Sequence, residues 1–138
     1  LIHHTPVRIY YEDTDCGGVV YYANYLRYFE RARTHFLDAL GFDLAALLNE
    51  GVVFVVTEAR IRYRSPARYG DELRIESRIT DVGGASIVFE HRVEKPGVPH
   101  PLVSGTVRCA VVDPDGRVRR LSPDSRAKLE TAVEPRAF

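Results

Sequence analysis

The run YYEDTDCGGVVYYANYLRYFERAR, residues 10–33, closes a β-rich segment, passes an acidic Gly-Gly turn and opens an aromatic helix. Just upstream, Val7-Arg8-Ile9-Tyr10-Tyr11 alternates apolar and polar residues, which predicts a strand over 7–11. From Ala23 to Leu40 the spacing turns helical, with Gly41 placed as the residue that ends the helix. Its apolar positions are Tyr25, Leu26, Tyr28, Phe29, Ala32, Phe36, Leu37 and Leu40. They exceed a narrow stripe, so the helix is expected to be buried on most of its sides.

Working outward, Phe42 to Asn49 predicts a short second helix. Strands are predicted over Val52–Tyr63, Glu72–Thr80, Ser86–Glu94 and Leu102–Val112. Asp113-Pro-Asp-Gly116 is a turn, a short strand can follow it, and Pro123 to Ala132 predicts a closing helix. No repeat, low-complexity tract or linker divides the chain. The reading is one α+β domain over 1–138: a long central helix against a five- or six-stranded antiparallel sheet.

Composition narrows the function classes. Formal net charge is +0, which gives no long-range reason to expect nucleic acid or an anionic membrane as partner. Apolar runs such as Gly51-Val52-Val53-Phe54-Val55-Val56 fall far short of the roughly 20 residues of a membrane span. Leu-Ile-His-His at the start lacks the pattern of a secretory signal. Cys16 and Cys109 form neither a disulfide framework nor a zinc motif, so free thiols in a cytoplasmic setting are the expectation.

The three acids of the turn, Glu12, Asp13 and Asp15, have different readings. Asp13-x-Asp15 resembles the opening of a calcium loop, but Asn24 stands where the twelfth-position Glu would be; no metal is expected. Glu12 and Asp13 read as residues that cap the turn through backbone N–H groups. Asp15 stands apart. It precedes Gly17-Gly18, where backbone approaches a ligand closely, and then a helix N-terminus whose free N–H groups stabilise developing negative charge. A carboxylate facing such an amide suits acyl transfer.

The same run resembles the signature of the hotdog-fold thioesterases, in particular the 4-hydroxybenzoyl-CoA thioesterase branch and the acyl-CoA thioesterases associated with the Tol–Pal genes. YRSPARYGDEL, residues 63–73, resembles the second strand, turn and third strand of that family. The resemblance implies that Asp15 is the catalytic carboxylate, acting as nucleophile or as general base for water. It implies that the backbone N–H of Tyr22 is the oxyanion donor, and that Gly17, Gly18 and Asn24 shape the substrate loop, Asn24 by orienting the loop or capping the helix. It further implies a homodimer joined through sheet edges, often paired again into a homotetramer, with active sites between subunits. No cofactor is implied beyond the coenzyme A carried by the substrate.

The sequence departs from both branches. Tyr22 stands where the Tol–Pal branch carries His, Ala23 replaces the Pro of the other branch, and Cys16 replaces Ala or Pro. The acyl group is therefore left open. Glu30 aligns with an acidic helix residue that faces the ring hydroxyl in the 4-hydroxybenzoyl branch; its plain alternative is an ion pair with Arg27 or Arg33. Glu58 reads as a solvent-face residue, with the cleft as its alternative.

Arg60, Arg62 and Arg64 alternate and share one strand face, either as phosphate forks for coenzyme A or as a solvated surface. Gly83-Gly84-Ala85 lacks the basic residue with which some relatives hold the nucleotide. Cys16 has no local His to activate it, and His35 and His91 read as structural. The absence of His from residues 10–33 argues against a dehydratase on the same fold. The expectation is an acyl-CoA thioesterase; the alternative is a non-catalytic acyl-CoA binding or scaffold protein.

Overall fold

A computed structural model describes residues 1–137. Its elements run β1 (Ile2–Arg8), α1 (Asn24–Ala39), α2 (Leu44–Asn49), β2 (Val53–Tyr63), β3 (Glu72–Val82), β4 (Ser86–Glu94), β5 (Val103–Val112) and α3 (Pro123–Thr131). The strands form one antiparallel sheet in the order β1-β3-β4-β5-β2, so β1 and β2 are its edges. Five strands are present among the described residues, at the lower of the two expected counts.

Side-chain alternation explains the inner face. Val7, Leu73, Ile75, Ile79, Ile87, Phe89, Val93, Val103 and Val107 join Tyr28, Phe29 and Phe36 of α1 in one buried cluster. Gly105 lets α1 approach β5, because a Cβ there would lie 2.5 Å from Phe29 Cε2. Asp43 caps α2 by accepting from Ala46 N–H, and Ser122 caps α3 by accepting from Ser125 N–H.

Two expectations are corrected. The first strand spans 2–8 rather than 7–11, because pairing with β3 begins at Ile2↔Arg78. It stops where Asp13 Oδ2 captures the Tyr10 N–H at 2.8 Å and the chain coils into a short turn of 3₁₀ helix over Tyr11–Asp13. Nor is α1 buried on most sides. Tyr25, Tyr28, Phe29, Ala32, Phe36 and Leu37 face the sheet, whereas Leu26, Arg27, Glu30, Arg31 and Thr34 are exposed. A single sheet covers only one side of a helix.

The path of β2 positions the site. A bulge interrupts its pairing with β5 between Val56 and Glu58. Beyond it Glu58, Arg60 and Arg62 lie opposite Arg108, Thr106 and Ser104. This face is opposite the one on which Gly105 meets Phe29, so these charges lie on the outer face of the sheet. Ile61 and Tyr63 alternate with them and turn toward α1.

Candidate active site

The acidic turn is built from its own backbone. Asp15 N–H donates to Val19 O at 2.9 Å, and Gly18 N–H donates to Asp15 O at 3.1 Å. Gly17 N–H donates to Asp15 Oδ1 at 2.8 Å, leaving Oδ2 without a protein partner among the described residues. Gly18 holds φ 77°, which a residue with a Cβ rarely adopts. Both glycines thus shape the turn under Asp15. The loop is fastened to the segment after β2, where Val20 N–H donates to Ala67 O at 2.9 Å.

Asp13 serves the loop, as the turn-capping reading expects. Its carbonyl accepts from Tyr21 N–H at 2.9 Å and from Asn24 Nδ2 at 2.9 Å. Asn24 therefore ties the loop to the helix; it does not cap α1, of which it is the first residue and Ala23 the N-cap. Asn24 N–H in turn donates to Tyr21 O at 2.9 Å. The Tyr22 N–H, next along the chain, donates to no protein group among the described residues. It lies one residue before Ala23, the N-cap of α1, beside the helix end whose free N–H groups carry partial positive charge.

Asp15 and Tyr22 line one cleft of about 280 Å³, together with Val19, Val20, Tyr25, Tyr63, Arg64, Ser65 and Pro66. The tyrosines form its aromatic wall. Tyr25 Oη accepts from Ala67 N–H at 3.2 Å, and burial pushes its phenol up from its ordinary range. Tyr63 Oη–H donates to Tyr22 O at 3.1 Å. Burial first, and Tyr22 second, raise the Tyr63 phenol. Neither Tyr25 nor Tyr63 was singled out from the sequence, although the alternation that set Arg60, Arg62 and Arg64 on one face sets Tyr63 on the other.

A model of the thioesterase-like superfamily matches residues 10–131. The chain belongs to that superfamily. Within it, the chain is 47% identical over 109 residues to the acyl-CoA thioesterase YbgC of Haemophilus influenzae, covering 78% of this chain and 79% of that protein. It is 50% identical over 88 residues to the acyl-CoA thioester hydrolase YbgC of Escherichia coli O6:H1, covering 64% of this chain and 66% of that protein. The latter match spans just under two thirds of the relative's length. The crystal structure of a probable thioesterase from Bartonella henselae superposes with TM-score 0.81 at 35% identity, covering 88% of this chain and all of that one. The arrangement is the hotdog fold.

The remaining candidate positions are dispersed. Glu30 lies away from Asp15, on a cavity of about 360 Å³ between α1, α2 and β2 that Arg33, Leu37, Val53, Val56, Phe89 and Cys109 also line. The alternative reading, an ion pair with Arg27 or Arg33, is not formed among the described residues, although the Glu30 charge acts on Arg33. That guanidinium is lowered chiefly by burial. Glu58 is a solvent-face residue, accepting from Arg60 Nε at 3.0 Å.

Arg60, Arg62 and Arg64 line a third hollow, of about 340 Å³, with Pro101, Ser104 and Thr106. Arg64 lines both this hollow and the Asp15 cleft. Cys16 is exposed beside Asp15, and Cys109 is buried. His4, Glu76 and Glu94 bring ligand atoms within 4.8 Å of one another on the sheet, but Arg78 and Arg74 already pair with the two carboxylates. Among the described residues no helix is long and apolar enough to cross a membrane.

Proposed function

We propose that this chain hydrolyses acyl-CoA thioesters, with Asp15 and the Tyr22 N–H as the reacting pair. The observation that carries the reading is their shared cleft, with one carboxylate oxygen and one N–H beside the start of α1 left without protein partners among the described residues. The thioester carbonyl would lie between them. Attack by Asp15, or by water whose proton Asp15 takes, forms a tetrahedral centre whose oxyanion accepts from the Tyr22 N–H. Collapse breaks the C–S bond, and the electron pair leaves on sulfur, which takes up a proton. In the general-base route water has already supplied the acid's new oxygen; in the nucleophilic route the acyl group is left on Asp15 as an anhydride, which water then cleaves to free the acid and the carboxylate. A thioester is already an activated acyl group, so this route uses no cofactor other than the substrate's own coenzyme A.

Arg64 joins the cleft to the arginine hollow, so a pantetheine arm leaving Asp15 is directed toward Arg62 and Arg60, whose forks suit phosphates. The free edge of β2, with Val55 and Val56 exposed, supports a homodimer. Antiparallel pairing of two β2 edges would set the Tyr63 end of one copy beside the Val53 end of the other. The Asp15 cleft would then meet the partner's 360 Å³ cavity, which holds Glu30. Unpaired thiols at Cys16 and Cys109 fit a reducing, cytoplasmic compartment.

A panel of acyl-CoAs, aromatic against short and long aliphatic, read by release of free thiol, tests this. Turnover of at least one class is expected. Binding without turnover across the panel would overturn the reading in favour of a non-catalytic acyl-CoA binding protein.

A further inference from the structure

We propose that Tyr63 is a positioning residue that fixes the direction of the Tyr22 N–H, the donor assigned to the oxyanion. The inference rests on the thioesterase reading above. The Tyr63 hydroxyl donates to the Tyr22 carbonyl at 3.1 Å, from the end of β2 to the threshold of α1. Its ring meets Tyr22 edge-on at 6.2 Å and Tyr25 at 5.7 Å. Tyr22 itself is 61% exposed, so packing alone does not hold it.

Two peptide planes meet at the Tyr22 Cα. The preceding plane carries the Tyr22 N–H, and its carbonyl, Tyr21 O, accepts from Asn24 N–H at 2.9 Å. Tyr21 N–H is held in turn by Asp13 O. The following plane carries Tyr22 O, and among the described residues only the Tyr63 phenol bonds to it. The Asn24 N–H that holds Tyr21 O is reached through the second plane, so pinning that plane at Tyr22 O steadies the turn and with it the direction of the Tyr22 N–H. Without the phenol the second plane is held only by the turn that closes around it, at a helix end, where chains fray. An oxyanion donor is effective only when it is oriented before the charge develops. The same contact accounts for a tyrosine rather than a phenylalanine on the inner face of β2: the ring suffices for packing, and the hydroxyl serves the loop. Its raised phenol pKa keeps it a protonated donor through the neutral range.

The test is Tyr63→Phe, which retains the ring. With the acyl-CoA that the wild type cleaves best, kcat should fall about tenfold, with KM within about twofold and the melting midpoint little changed. A second readout isolates orientation. In an Asp15→Asn background, benzoyl-CoA labelled with ¹³C at the thioester carbonyl is bound and its infrared stretch recorded. The stretch should fall to lower frequency on binding to Asp15→Asn and return toward the solution value in Asp15→Asn/Tyr63→Phe, with affinity retained. Wild-type kcat in Tyr63→Phe, or an unchanged stretch in the double variant, overturns the proposal and leaves the thioesterase reading standing. A wild-type protein that cleaves no acyl-CoA sinks that reading instead, and this one with it.

Discussion

Ser77 Oγ and His91 Nδ1 lie 2.8 Å apart inside the core, with both residues fully buried. The imidazole stacks on Phe29 at 4.7 Å, and its Nε2 has no hydrogen-bond partner among the described residues. Burial first, and the Arg33 charge second, lower His91 well below the usual histidine range. The folded protein therefore refuses a proton that the unfolded chain accepts near pH 6.5. Stability contributed by neutral His91 is full above about pH 6.5 and is lost progressively as the pH falls below it.

The melting midpoint of the wild type should accordingly drop between pH 7 and pH 5. His91→Gln should lose about 1–3 kcal/mol at pH 7, since it disturbs a buried hydrogen bond and its packing. Its stability should vary less with pH over that window. Part of the slope should survive, because His3 is also lowered by burial, with His35 and His4 adding to the effect. An equal slope in the variant would exclude His91 as the source.

Gly105→Ala tests a close approach of helix to sheet. A methyl group there would lie 2.5 Å from Phe29 Cε2 and 3.0 Å from Arg60 O. Backbone cannot yield cheaply, and Phe29 is held against His91. Overpacking should cost about 1–3 kcal/mol in chemical denaturation. A variant as stable as wild type would show that the helix can lift from β5 without penalty.

Much of this fold can be read from periodicity, and the places where reading fails have local causes. Periodicity and turn residues located four strands closely, and β3 and β5 do bury every second residue, whereas edge strand β2 leaves most of its residues exposed and central β4 buries both faces. Alternation overran at Tyr10 and Tyr11, where a side chain three residues on, Asp13, takes the N–H that a strand would use. The breadth of the apolar stripe on α1 misled, because exposed Leu26 counts as apolar although the sheet never reaches it.

At the site, Asp15, Gly17, Gly18 and Tyr22 were legible as a contiguous run. Tyr63 was not, since it comes to Tyr22 across 41 residues of chain. The Thr57 bulge, which sets the face of Arg60 and Arg62, has no sequence signature at all.

Asp15→Asn should abolish thioester cleavage, by about 10²-fold or more, while leaving fold and oligomeric state intact. The substitution is conservative for the turn, since an amide oxygen can still accept from Gly17 N–H. Cys16→Ser should retain near-normal activity, because the exposed thiol lies beside Asp15 without a histidine among the cleft residues. Thiol release measured on both variants separates a carboxylate mechanism from a cysteine one. A dead Cys16→Ser with intact structure would favour the thiol, and an active Asp15→Asn would remove the carboxylate from the chemistry.

The arginine hollow makes the last prediction, which turns on one difference among its three cations. Arg60 already shares its charge with Glu58 at 3.0 Å, whereas Arg62 and Arg64 form no ion pair among the described residues. An exposed ion pair contributes little to stability, yet it offsets the attraction of Arg60 for an incoming phosphate. Arg62→Ala should therefore raise KM for an acyl-CoA by about threefold to tenfold, more than Arg60→Ala does, with kcat nearly unchanged. The same acyl group on a short thiol without the nucleotide should show no such change, because no phosphate is there to be held. Added salt should narrow the difference between wild type and Arg62→Ala on the CoA ester, since the contact is exposed and screened. A KM that rises equally for both thioesters would mean that Arg62 shapes the sheet face and holds no phosphate.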